Sequence, residues 1–204
     1  MVTSKEKIIN TAAKLFIQQG YKGGSTVAIA TLSGLSNNSG LFRYFASKEE
    51  MYDAVVTKYI LNRQAANADF RFDKELSLRR FIDSYIGCIE TNTKELYCEL
   101  DDNKIRLVPA NYFIFVQEAC RRNKKYKENY IDCSLQTREM WKRVIGNAIE
   151  RGEVKADSNI DLYADLFHTL YFGSSFVQAA IYNGLPFERL RVLYDFFYDS
   201  IRVK

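Results

Sequence analysis

Apolar residues recur every three to four positions along most of this chain, the spacing that keeps them on one face of a helix. Ile8, Ile9, Ala12, Ala13, Leu15 and Phe16 form the first such face, opened by Thr3 and Glu6 at capping-box spacing and stopped at Gly20. A short second helix runs from Thr26, read as its N-cap, through Val27, Ile29, Ala30 and Leu32. Gly34 ends it, and Leu35 turns back into a small core. A third short helix carries Leu41, Phe42 and Phe45 inward. Ser47 and Glu50 form another capping box and launch a long helix through Met51, Val55 and Tyr59 to beyond Arg63.

Farther along, Leu78, Phe81, Ile82, Tyr85, Ile86 and Ile89 define a helix ending near Leu96, and residues 97–108 read as a loop with a short turn. The run from Tyr112 to Val116 could pass for a buried strand. It follows Pro109, a good first-turn residue, and continues into Gln117 and Glu118, so a helix is predicted over 109–123. Others are predicted over 127–151, on Trp141, Val144, Ile145, Ala148 and Ile149, and over 160–183 and 186–202. Only two prolines occur, and five of the ten glycines lie in the first 40 residues, which makes the early elements short and the later ones long. No period repeats. The fold class is all-α.

Composition removes several alternatives. With 47% hydrophobic residues the chain is no disordered segment, and 204 residues suffice for a core without staples. Cys88, Cys98, Cys120 and Cys133 show no metal or disulfide spacing, and His168 is the single histidine, so no metal site is expected. Cys88 and Cys120 read as small buried hydrophobes. Residues 166–187 carry no Asp, Glu, Lys or Arg, yet His168, Gly173, Ser174, Ser175, Gln178, Asn183, Gly184 and Pro186 make membrane insertion costly, so a helix buried in protein is expected. The polar N-terminus gives no export signal, and a cytoplasmic protein is expected. No phosphate-binding loop, nucleophile elbow, dinucleotide fingerprint or zinc-protease motif is present, so neither an enzyme nor a cofactor is expected. The net charge of +4 is mild, but residues 1–64 hold eight cations against four carboxylates, so the surplus sits at the N-terminal end.

That end has the outline of a helix-turn-helix: two short helices, a glycine-containing turn and a bracing helix before them. Ser36, Asn37, Asn38 and Ser39 offer donors and acceptors to base edges at the start of the second short helix. Thr26 and Lys48 sit at helix N-termini, where backbone N–H groups favour phosphate. The segments "IINTAAKLFIQQGYKGGSTVAIATLSGLS" and "LFRYFASKEEMYDAV", between Ile8 and Val56, closely resemble the tetracycline-repressor (TetR) family of bacterial transcription regulators. Ala13, Leu15 and Phe16, Gly20-Tyr21, Ser25-Thr26, Ile29-Ala30, Tyr44-Phe45 and Ser47-Lys48-Glu49 carry the likeness over about a quarter of the chain. Two departures matter. Five residues separate Leu35 from Leu41, one more than the family usually has, which leaves base contacts from residues 37 to 40 unassigned one by one. Phe42 stands where the family often has a phosphate-binding tyrosine, leaving Arg43, Tyr44 and Lys48 as phosphate partners.

The resemblance implies a DNA-binding domain over 1–48 and a helical ligand-binding and dimerisation domain over 49–204. The apolar helix near 160–183 requires partners on every side, and pairing with helix 186–202 and their copies as a homodimer would supply them. A cavity for an unknown small-molecule effector is implied too, lined by Phe81, Tyr85, Tyr112, Phe115, Trp141, His168 and Tyr171. Together these imply a repressor released from a palindromic double-stranded operator by a small apolar or aromatic ligand. Two alternatives stand beside it: a helical small-molecule carrier or enzyme whose N-terminal bundle does not bind DNA, and a regulator without any ligand.

Overall fold

The computed structural model describes residues 4–62, 76–100, 109–157, 159–182 and 187–203. Every regular element among them is helical, and extended pairing is confined to an isolated bridge between Val154 and Arg202. In chain order these are α1 (Ser4–Gly23), α2 (Thr26–Leu32), a 3-10 helix (Asn38–Arg43), α3 (Lys48–Val56), prolonged by a π turn over Thr57–Leu61, then α4 (Leu78–Leu100), α5 (Pro109–Arg122), α6 (Lys124–Glu150), α7 (Ile160–Tyr182) and α8 (Phe187–Ile201). Thr3, Arg63, residues 101–108 and residues 183–186 lie outside the described residues.

The helices form two compact units, one drawn from Met1–Ala65 and Lys94–Tyr130, the other from Ala66–Thr93 and Ile131–Lys204. In the first unit α1 buries Ile8, Ala12, Ala13, Phe16 and Ile17 against Ile29 and Ala30 of α2, Leu41 and Phe45, and Met51, Tyr52, Val55 and Val56 of α3. The end of α4 and the middle of α5 close this core with Leu96, Leu100, Phe115, Val116 and Ala119. Gly20 takes φ 70° and ψ 175°, so α1 breaks where the sequence places its stop, and one further turn carries the chain to Gly23.

Two boundaries differ from the sequence reading. Helix α4 continues to Leu100, past the end expected near Leu96. Leu96 and Leu100 are buried, and Glu99 accepts a hydrogen bond from Tyr59 (3.2 Å) while pairing with Lys58, so tertiary contacts fix a turn that local pattern leaves ambiguous. Helix α6 starts at Lys124, because the Asn123 side chain accepts the Lys125 N–H at 2.9 Å and caps it.

The second unit centres on Trp141, enclosed by Phe81, Tyr85, Phe167 and Tyr194 at ring distances of 5.2, 4.9, 4.7 and 5.9 Å. Leu78, Ile82, Ile86, Val144, Ile145, Ala148, Leu190 and Ile201 complete the core. Helix α4 has no acidic residue in its first turn. Its cap is supplied from afar by Glu153, whose carboxylate accepts the N–H groups of Leu78 (2.9 Å) and Arg79 (3.2 Å) and the Tyr198 hydroxyl (3.1 Å). Replacing Glu153 with alanine orphans these donors and should lower the unfolding free energy by about 2 kcal/mol, read from urea denaturation. A loss below about half a kcal/mol would show that water replaces the carboxylate without cost.

The expectation that helix 160–183 is buried on all sides does not hold within one chain. Ala164, Phe167 and Ser175 are buried, but Leu162, Leu166, Phe176, Val177 and Ile181 lie 40–64% exposed. Cys88 and Cys120 are half-buried and not fully enclosed; burial pushes the Cys120 thiol above its ordinary range. Among the described residues no helix is long and apolar enough to cross a membrane, and no cluster of three metal-ligating side chains occurs.

Candidate nucleic-acid interface

Ser25, not Thr26, caps α2: it holds extended backbone, and its hydroxyl accepts the Ala28 N–H at 3.5 Å. Both residues are good caps, and the capping position falls to the earlier one, placing Thr26 inside the first turn. The turn after α2 is built from two crossed hydrogen bonds. The Gly34 N–H reaches Thr31 O (3.0 Å) and the Leu35 N–H reaches Ala30 O (2.9 Å), with Gly34 at φ 82°. This is a Schellman termination, and it reverses the chain while dropping Leu35 onto the core. A side chain at Gly34 would be strained in that backbone conformation.

The second short helix is 3-10, not α. Asn37 caps it, its side-chain oxygen accepting the Gly40 N–H (3.1 Å) and the Ser39 hydroxyl (2.6 Å). Part of the polar run is therefore used to hold its own shape. Ser36, Asn37 and Ser39 are exposed, whereas Asn38 is half-buried with its side-chain oxygen enclosed and unbonded. Leu41 and Phe45 face the core as expected. Phe42 does not: one position after the inward Leu41, it lies about a third of a turn away round the 3-10 helix and stands 49% exposed. Arg43 is exposed, and Tyr44 is half-buried against the core. Val27 in the first turn of α2 is 60% exposed.

The capping box at α3 forms. The Ser47 hydroxyl accepts the Glu50 N–H at 3.1 Å, and the Glu50 carboxylate returns to accept the Ala46 N–H. Lys48 thereby begins a fixed helix, its Nζ 4.5 Å from the Tyr21 ring. Burial and the nearby Arg122 charge lower the Lys48 ammonium from its ordinary value. Arg122, Glu49 and Tyr21 lie beside it, and the sequence reading missed all three as site residues.

The seven residues read as a ligand lining divide between the two units. Tyr112 and Phe115 belong to the first unit, where Phe115 packs edge-on to Tyr52 and the Tyr112 hydroxyl donates to Tyr59 O at 2.7 Å. Phe81, Tyr85, Trp141, His168 and Tyr171 belong to the second. Tyr85 touches the rings of Phe81, Trp141 and Tyr171, and His168 stacks on Phe172 at 4.7 Å while its Nε2 lies 3.2 Å from the Ser134 hydroxyl. Burial lowers the His168 pKa, only partly offset by Asp165. Among the described residues, His168 Nδ1 and the Ser175 hydroxyl are enclosed without a hydrogen-bond partner. A groove of about 330 Å³ runs between α7 and α8, lined by Leu166, Leu170, Gly173, Ser174, Val177, Arg189 and Leu193 among others.

Residues 8–55 match the sequence profile of the bacterial regulatory proteins of the tetR family. The matched segment is a tetR-family N-terminal domain. It is 27% identical over 157 residues to the HTH-type transcriptional repressor KstR2 of Mycobacterium tuberculosis, covering 76% of this chain and 72% of that protein. Over 82 residues it is 30% identical to the HTH-type transcriptional repressor NicS of Pseudomonas putida, spanning 39% of this chain and 38% of that one. The fold superposes on the structure of the ketosteroid transcriptional regulator KstR2 of M. tuberculosis with a TM-score of 0.65 and 18% identity, covering 100% of this chain and 97% of that one. Both sequence relatives are named as HTH-type transcriptional repressors.

Proposed function

We propose that this chain is a homodimeric repressor acting in the cytoplasm, bound to a palindromic operator and released by a small apolar or aromatic ligand. The functional division is a DNA-binding head over 1–48 and a ligand-binding and dimerising body over 49–204. The observation that carries the reading is the Schellman-terminated helix-turn-helix, with Ser36, Asn37, Ser39 and Arg43 on its outer surface. Ser and Asn side chains suit base edges, and Arg43, Tyr44, Lys48 and Thr26 suit phosphates. Phe42, exposed and without a hydroxyl, offers that surface only apolar contact.

The bare apolar faces of α7 and α8 support pairing with a second copy. Leu166, Phe176, Val177 and Ile181 on one helix and Val192 and Phe196 on the other form more exposed apolar surface than a lone chain leaves open without a partner. Gly173 and Ser174 would let a facing helix come close. An effector in the body is supported by the aromatic cluster around Tyr85 and by His168 Nδ1 and the Ser175 hydroxyl, enclosed without a partner among the described residues. Buried polar atoms of this kind are normally satisfied, and a ligand bearing hydrogen-bond acceptors would satisfy them. Ligand and operator would favour different states of the dimer, so each weakens the other.

Selection of duplexes from a randomised pool, at two salt concentrations, tests the DNA reading. A palindromic consensus supports it, and sequence-blind binding or none sinks it. On the selected duplex, Arg43→Ala should cost about tenfold in affinity for every sequence alike and lower the salt slope by about one per half-site. An unchanged slope would remove Arg43 from the phosphate contacts.

A further inference from the structure

Tyr21, just past the break at Gly20, is gripped by three helices of one compact unit. Its ring lies 6.0 Å from Phe16 of α1 and meets Tyr52 of α3 edge-on at 5.1 Å. Its backbone N–H donates to the Glu118 carboxylate of α5 at 3.0 Å. Arg122, the last residue of α5, places its guanidinium carbon 3.6 Å from the Tyr21 ring centre and bonds Glu49 at 2.7 Å. Lys48 sets its ammonium against that same ring, one residue before Glu49.

One guanidinium thus holds both the aromatic platform under Lys48 and the carboxylate next to it. Only a planar, delocalised cation stacks on a ring and bonds a carboxylate at once, so lysine at position 122 would keep the charge and lose the geometry. Arg122 repels the Lys48 ammonium while the Glu118 and Glu49 carboxylates attract it, so the charges around the Tyr21 ring set where that ammonium rests.

We propose that Arg122 is a positioning residue for operator binding, which through Tyr21 and Glu49 fixes the start of α3 and the direction of Lys48 toward a DNA phosphate. The inference rests on the reading of the head as the DNA-binding surface. Arg122 itself touches no phosphate.

The test uses the full chain and the selected duplex, with wild type, Lys48→Ala, Arg122→Gln, Arg122→Lys and the Lys48→Ala/Arg122→Gln double variant. Lys48→Ala should lower the salt slope by about one per half-site and affinity about tenfold. Arg122→Gln and Arg122→Lys should both move most of the way to those values, and the double variant should be no weaker than Lys48→Ala alone. Additive losses would overturn the proposal, since Arg122 would then contact phosphate directly. Wild-type slope and affinity in Arg122→Gln would overturn it too, leaving a stability role alone. NMR titration of the Lys48 side chain, without DNA, gives the second readout: Arg122→Gln should raise its midpoint, and an unmoved midpoint overturns the positioning. Should wild type select no duplex, the DNA reading fails, and the titration still decides whether Arg122 governs Lys48.

Discussion

Trp141→Ala should remove about 4 kcal/mol of stability, the largest loss expected from any single truncation in the second unit. Trp141 is fully buried, stacked on Phe167 at 4.7 Å and edge-on to Phe81 and Tyr85. Alanine leaves a cavity walled by rings that are themselves held: Tyr194 donates its hydroxyl to Phe167 O at 2.7 Å, so the wall cannot collapse inward freely. The loss corresponds to roughly 10 °C in melting temperature, compared at fixed protein concentration. Trp141→Phe should cost much less, because it keeps most of the stacking on Phe167. A mild Trp141→Ala variant would mean that the ring cluster is loosely packed and already open to a guest.

Phe196→Asp should abolish the dimer and, with it, tight operator binding. Phe196 is 76% exposed in the single chain, so the substitution leaves the protomer's own core intact and circular dichroism should not change. In a twofold interface each copy contributes the same patch, so a carboxylate there is desolvated on both sides. Sedimentation should then report a monomer. Operator affinity should fall by about a hundredfold or more, because the second half-site no longer binds at high effective concentration. A dimer that survives Phe196→Asp would place the interface elsewhere than α7 and α8.

Much of this molecule was legible because its helices obey local rules. The Ser47–Glu50 box, the stop at Gly20 and the inward stripe of Leu41 and Phe45 each depend on neighbours within five residues, and pattern alone finds such features. Phe42 differs because it adjoins the inward Leu41, and neighbours in a 3-10 helix lie about a third of a turn apart, too far to share one face. The last turn of α4 was missed because its anchors, Tyr59 and Lys58, lie some forty residues earlier in the chain. Arg122 offered no signal at all: a basic residue at a helix end is ordinary, and its carboxylate partner is 73 residues away. Of the proposed ligand lining, aromatic type was readable but grouping was not, since nothing local assigns Tyr112 and Phe115 to one unit and Trp141 to the other.

The borrowed cap of α4 has a consequence for how the protein is made. Leu78 emerges from the ribosome 75 residues ahead of Glu153, the group that satisfies its N–H. Through that interval Ser77 holds the Arg80 N–H at 3.3 Å, and the helix has no acid of its own for the donors of Leu78 and Arg79. The start of α4 therefore gains its acidic cap only once residue 153 has been made.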